Sequence, residues 1–438
     1  MKNLFKNFII LLLVVFVSSC QSLNNLGDII ARTEPVKTTP TPKLNYQTNI
    51  ESRDLETLKY NKKKIKVALF LPFSGKNKDL GWHLFNAATL SLFENDPNNN
   101  IELVLIDSKD DPQDTAKAFK EIVDKGIKVV IGPVFSQSVK AIAKDVEKSQ
   151  ITVISFSNNQ ELIKKTTNKS GVFLAGLLPE SEIEKITTYA LDCEKINFAI
   201  IAPNNQYGVT IAKLLKTMVK AKDGNFIVSE LYQANNNGLE KAAERVVKSF
   251  SIESKFSDDK GSKLKKDDLV KESDRSYPQV IMIPESGKNL SKIVAAIKKY
   301  NTDERDFQII GTSQWDDIST LNDENLVGSW FAAPENDKFR NFEKNYYQIF
   351  NKFPPRISSI AYDCVTAISE LINRKRNQEI GFEDFTSYTN SKNNGFEGID
   401  GLFRYLPNGL VQRNLAVLKV GKSKFETIEK PVGKFLSY

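Results

Sequence analysis

One imidazole serves the whole chain: His83, in the segment Gly81-Trp82-His83. Ser-His-Asp or Cys-His nucleophile chemistry would have to pass through it. It stands just before an apolar helical pattern and reads as a structural residue at a helix start, and any site of several histidines is excluded. The cysteines are Cys20, Cys193 and Cys364, with neither a CxxC nor a zinc spacing among them. No EF-hand-like loop gathers carboxylates for a hard cation. The expectation is a non-enzyme with no cofactor and no metal. What remains are hydroxyls, an aromatic and an acid in four loops: Gly132-Pro-Val-Phe-Ser136-Gln-Ser138, Ser155-Phe-Ser157-Asn158, Asn204-Asn-Gln-Tyr207-Gly208 and Pro284-Glu285-Ser286-Gly287. Ser136 and Ser138 open a helical pattern, where hydroxyls and free backbone N–H groups either hold a carboxylate or cap the helix.

Each of these loops follows a strand pattern. Ile65 to Leu71 is apolar on both faces, as in a buried parallel strand. A helix is predicted over 82–94, a strand over Ile101 to Ile106, and a helix that Asp114 can cap and Gly126 closes. Strand Val129 to Ile131, helix 136–148 and strand Ile151 to Phe156 follow. The alternation resumes with helix 181–192, strand Ile196 to Ala202, helix 209–220, strand Phe226 to Leu231, helix 238–249, strand Val280 to Ile283, helix 288–300 and strand Phe307 to Ile310. Later come a strand near 330–333, helices over 337–351 and 357–374, and short strands after Phe396 with a turn at Pro407-Asn408-Gly409. Such alternation predicts an α/β fold of two doubly wound, Rossmann-like lobes, each a parallel sheet covered by helices. In open α/β sheets ligands sit at the carboxyl ends of the strands, where all four loops lie.

The ends differ in texture. Lys2 and Lys6 precede an unbroken apolar run from Phe8 to Val17, then Ser18, Ser19 and Cys20. This is the layout of a secretory signal, and the run is too short for a spanning helix of about 20 residues. Residues 21–62 carry prolines among Thr, Lys and Asn with no apolar period, as a disordered tether does. Segment 251–276 is dominated by Lys, Asp, Ser and Glu and reads as a mobile surface loop. The net charge of +7 is spread among interspersed signs; no basic patch with interleaved aromatics marks a nucleic-acid partner.

Two resemblances follow from these residues. Val-Ser-Ser-Cys20 resembles a lipobox, which implies a mature chain anchored to the membrane by lipid on Cys20. Gln21 in the next position resembles the outer-membrane class. Phe70-Leu-Pro-Phe-Ser-Gly75, Ile131-Gly-Pro133, Tyr207-Gly208 and Gly311-Thr-Ser-Gln-Trp-Asp316 resemble the type I periplasmic-binding family, the Leu/Ile/Val receptors and their relatives, over residues 65–420. That likeness implies an amino-acid-like ligand between the lobes, with its carboxylate on Ser136 and Ser157, Tyr207 lining the cleft and Glu285 taking the ammonium. Gly328-Ser-Trp-Phe-Ala-Ala-Pro334, Pro354-Pro-Arg356, Ala361-Tyr-Asp363 and Gly398-Ile-Asp-Gly-Leu-Phe-Arg404 resemble lipoprotein activators of penicillin-binding proteins, which implies instead a peptidoglycan synthase as partner. Both alternatives stay open at this point.

These readings divide the chain into a leader over 1–20, a tether over 21–62, the first part of lobe one over 63–180 and the first part of lobe two over 181–306; the family's topology implies the rest. The chain would return to lobe one over 307–395 and end in strands mainly of lobe two over 396–438. Cys193 and Cys364 would then sit on different lobes, beyond the Cα separation of about 7 Å that a disulfide allows, and both are expected free.

Overall fold

The computed structural model describes residues 64–164, 171–233, 236–249, 278–302, 304, 306–376, 378–387 and 395–435. The leader, Cys20, the tether and segment 251–276 lie outside the described residues.

The first lobe is built on β1 (Ile65–Leu71), β2 (Ile101–Asp107), β3 (Val129–Ile131), β4 (Thr152–Ser155) and β5 (Val172–Leu174), alternating with α1 (Lys78–Asn95), α2 (Pro112–Asp124) and α3 (Ser136–Ser149). The strands form one parallel sheet in the order β2-β1-β3-β4-β5. Along β1 the side chains divide by the two-residue period of a strand. Val67, Leu69 and Leu71 enter one core with Leu84 and Ala88 of α1. Ala68 and Phe70 enter another with Phe119 and Ile122 of α2 and Val139 and Ile142 of α3. Both faces are therefore dry, which is why the strand reads as an unbroken apolar run.

The second lobe comprises α4 (Pro179–Asp192), β6 (Asn197–Pro203), α5 (Gln206–Ala221), β7 (Asn225–Tyr232), α6 (Asn236–Lys248), β8 (Val280–Met282), α7 (Gly287–Tyr300), β9 (Gln308–Gly311) and β10 (Trp330–Ala333). After β10 the chain forms α8 (Asn336–Phe350), α9 (Ser358–Arg374), β11 (Phe396–Gly398), β12 (Gly401–Tyr405), β13 (Val411–Arg413), β14 (Ala416–Val420) and β15 (Phe425–Glu429). A seven-stranded sheet runs β15-β14-β10-β9-β8-β6-β7, with β14 and β15 antiparallel at one edge. Helices α8 and α9 pack on the first lobe, through Phe342, Tyr346, Val365 and Ile368.

Two boundaries expected from sequence move. Strands β9 and β10 belong to the seven-stranded sheet, so the return to lobe one begins after Ala333 rather than at 307. A strand pattern shows that a segment is buried, not which sheet accepts it. Likewise β11, β12 and β13 do not join lobe two; Phe396, Phe403, Tyr405 and Val411 complete the core of lobe one. The turn between β12 and β13 docks there directly, Leu174 N donating to Gly409 O at 2.9 Å. Only β14 and β15 belong to lobe two. The capping residue of α2 also differs. Asp111, not Asp114, accepts from the N–H groups of Gln113 and Asp114, because Pro112 supplies a first helical position that needs no donor. Cys193 is exposed, Cys364 is buried, and both are free.

Candidate functional site

On lobe one the site is built by a clamp between two strand ends. Gly132 leaves β3 with φ +112°, and a Cβ there would lie 2.0 Å from the carbonyl oxygen of Phe70, so only glycine passes. The Gly132–Pro133 peptide is cis. Pro133 O accepts from Ser155 Oγ at 2.7 Å, and Ser155 Oγ accepts from Ser157 N at 3.1 Å. This fixes the exit of β4 against that of β3 and places Ser157 Oγ 2.8 Å from Ser136 Oγ. Ser136 is the first residue of α3, and the cap position belongs to Phe135. Its hydroxyl is thus free of a capping duty, beside the first-turn N–H groups at the positive end of the helix. Ser138 turns inward, buried, with its Oγ 3.3 Å from Thr115 Oγ1.

On lobe two, Tyr207 in the first turn of α5 places its OH 3.2 Å from Thr312 Oγ1. Burial raises its pKa well above the ordinary phenol value, and the charges of Glu182 and Glu285 add to the effect. Glu285 accepts on Oε2 from the Tyr232 hydroxyl and from Asn289 Nδ2, the latter at 2.9 Å. Its main-chain oxygen accepts from Trp315 Nε1 at 2.9 Å. The Trp315 ring lies against Gly311, where an added Cβ would meet it at 2.1 Å. Next to Thr312, Ser313 donates to Glu182 through N at 3.0 Å and Oγ at 2.9 Å. Burial pushes the Glu182 carboxyl up to about 7 against these two bonds.

Ser136 and Ser157 therefore meet directly. Tyr207 and Glu285 are drawn into one electrostatic neighbourhood by the segment 312–315 that follows β9. The sequence reading missed Glu182, Thr312, Ser313, Tyr232 and Asn289. Glu180 and Glu182 look like ordinary acids favouring a helix N-terminus, and nothing local marks the second as buried. Phe73 was also missed; it lies two residues beyond β1 and packs its ring 5.0 Å from Trp82 and 6.3 Å from Phe85, with Trp82 45% exposed. Strand-then-aromatic was the available signal. His83 lies inside α1, its Nδ1 2.8 Å from Tyr346 OH; burial and Lys352 lower its pKa against Asp79. It ties α1 to α8.

The segments 354–356, 361–363 and 398–404 meet through ion pairs and one backbone hydrogen bond. Arg356 reaches Asp316 through Nε at 2.8 Å and Asp400 through Nη1 at 2.6 Å. Arg413 pairs with Asp363 at 2.7 Å, and Asp363 also accepts from Ile399 N at 2.6 Å.

A family model described as periplasmic binding protein matches residues 64–424. An uncharacterised protein of Rickettsia prowazekii is 23% identical over 377 residues, covering 84% of this chain and 90% of its own length. Among solved structures, one from Rhodospirillum rubrum, described as a branched-chain amino acid ABC transporter, superposes with a TM-score of 0.67 at 16% identity. It covers 84% of this chain and all of its own. The substrate-binding protein LivJ of Streptococcus pneumoniae, in complex with isoleucine, gives 0.55 at 18% identity, covering 84% and 99%. At such identities these structures speak for the fold alone.

Proposed function

The chain belongs to the periplasmic binding protein family, and from that premise we propose that it is a lipid-anchored solute receptor of the cell envelope. It takes an amino-acid-like ligand between its lobes. The observation that carries this reading is the Ser136–Ser157 hydroxyl pair, 2.8 Å apart at the amino end of α3. Two adjacent hydroxyls beside unpaired helix N–H groups form a neutral seat for a carboxylate. The ligand's ammonium goes to Glu285, which accepts from Tyr232 and Asn289 on Oε2, and Tyr207 closes the side of the crevice.

Isothermal calorimetry of the full chain against a panel of amino acids tests this directly. Hydrogen bonds to charged groups contribute about 1.5–3 kcal/mol, so Glu285→Gln is expected to weaken binding roughly 10- to 100-fold. Ser136→Ala should weaken it with little change in the melting temperature without ligand, because the residue is not the helix cap. An amino acid bound equally well by wild type and Glu285→Gln would defeat the assignment of the site.

The anchor is a separate prediction. Mass spectrometry of the mature protein is expected to show an N-terminal, acylated Cys20; an unmodified chain beginning elsewhere removes the anchor from the proposal. The lipobox-like segment also favours a second reading, a tethered activator of a peptidoglycan synthase. On that reading no amino acid raises the melting temperature at millimolar concentration, and Glu285→Gln leaves stimulation of the synthase unchanged.

A further inference from the structure

The two lobes are joined three times by the chain: between β5 and α4, between β10 and α8, and between β13 and β14. Beside the second crossing one side chain ties the lobes together without a covalent link. Arg356, just ahead of α9, stacks its guanidinium on Phe339 of α8, 4.2 Å from the ring centroid. Phe339 and the neighbouring Ile357 pack on the core of lobe one. From there Nη1 donates to Asp400 Oδ1 at 2.6 Å and to Ser359 Oγ at 2.9 Å, and Asp400 Oδ2 accepts from Ser359 Oγ at 2.8 Å. Asp400 and Ser359 are lobe-one residues. The remaining bond, Nε to Asp316 Oδ2 at 2.8 Å, crosses to lobe two.

Asp316 is held on its other oxygen by Asn336 Nδ2 at 3.0 Å, at the start of α8. It also ends the short segment whose other side chains reach the candidate site. Thr312 contacts Tyr207, and Trp315 fixes the main chain at Glu285. A guanidinium is suited to this post, because its planar fork addresses two carboxylates in fixed directions at once, which an ammonium on a flexible stem does not. Both carboxylates are nearly buried, with 7% and 5% side-chain exposure for Asp316 and Asp400. Solvent therefore screens the pairs little.

We propose that Arg356 is a positioning residue, a bolt between Asp400 of lobe one and Asp316 of lobe two that sets the resting angle between the lobes and with it the placement of Tyr207 and Glu285. The residue touches no ligand. It acts through the segment 312–316, and a ligand that prefers a different angle must work against it. The inference rests on the reading of the crevice as a binding site that opens and closes, but its test needs no ligand.

Spin labels at Lys144→Cys on α3 and Lys216→Cys on α5, both exposed positions, report the distance between lobes in the detergent-solubilised full chain carrying Cys193→Ser. A second pair within lobe one, Lys144→Cys with Lys120→Cys, serves as the control. Wild type is expected to give one narrow interlobe distribution. Arg356→Gln should widen and shift it while the pair within lobe one stays as it was; Arg356→Lys should fall between the two. An interlobe distribution unchanged in a folded Arg356→Gln chain overturns the proposal, as does widening of both pairs alike, which would mean general loosening of lobe one. Should Arg356→Gln fail to fold, Asp316→Asn removes only the charge across the lobes and gives the same two outcomes. Calorimetry against amino acids is a separate measurement, so a failure of the ligand reading is distinguishable from a failure of the bolt.

Discussion

Replacing Arg413 with methionine is expected to cost about 3–5 kcal/mol of unfolding free energy, the range found when one partner of a buried ion pair is removed. The Asp363 side chain is fully buried and that of Arg413 is 3% exposed, at 2.7 Å. Burial raises the Asp363 carboxyl's pKa and Arg413 pulls it back down. Without the guanidinium, the carboxylate keeps the hydrogen bond from the N–H of Ile399, in a space so tight that a Cβ on Gly398 would lie 2.4 Å from it. Water has little room to enter. The pair also joins α9 to β13, at the last crossing between the lobes, so its loss should loosen both. Urea unfolding of wild type, Arg413→Met, Asp363→Asn and the double variant measures it. The double variant should recover much of the loss, since no charge is then left unpaired. A loss below about 1 kcal/mol in Arg413→Met would place the pair among the inconsequential surface bridges, against its burial.

The second large effect is one of pH. Glu182 has a folded pKa of about 7 against an ordinary value of 4.5, raised by burial and opposed by the two bonds from Ser313. The folded chain thus holds this proton more tightly than the unfolded chain. The contribution is fully present below about pH 4.5 and is lost as pH rises through the interval to about 7; above that the loss is constant. At about 1.36 kcal/mol per unit, the interval corresponds to roughly 3 kcal/mol. Glutamine copies the protonated acid, with an oxygen to accept from Ser313 N and an amide to donate to its hydroxyl. Glu182→Gln is expected to be more stable than wild type by about 2–3 kcal/mol at pH 8 and near parity at pH 4.5. Unfolding curves at the two pH values decide it. If the pH dependence is the same with and without the carboxyl, Glu182 is not the group responsible. Because Ser313 neighbours Thr312, the partner of Tyr207, the same titration acts one residue away from the candidate site.

Several things were written in the residues themselves. The apolar run of β1 and the helical spacing of Leu84, Ala88 and Leu92 in α1 pointed to a buried parallel strand with helices on both faces. Strand exits rich in Gly, Pro and Ser announced where a site could form. The choice of Ser136 and Ser157 came from the resemblance to the type I periplasmic-binding family; the residues alone offered Ser138 as readily as Ser136. Local chemistry also carried the capping of α2, although Pro112 moved it from Asp114 to Asp111.

Other matters depended on partners far along the chain. Whether β9 and β10 add to the first or the second sheet is decided by which edge their backbone groups meet, and a three- or four-residue apolar run is the same for either. The hairpin of β12 and β13 joined lobe one because Tyr405 packs its ring beside Phe173 and Phe385 and Phe403 stacks on Phe396; no property of residues 401–413 alone states that. Glu182 is an unremarkable helix-start acid until α4 packs against the end of β9 and removes its water. Arg356 is a charged residue after two prolines until Asp316 and Asp400, 40 residues before and 44 after, converge on it. Burial and long-range pairing are properties of the packed chain, so the sequence could name the loops that bear the candidate site while only the tertiary structure could name the charges that hold them in place.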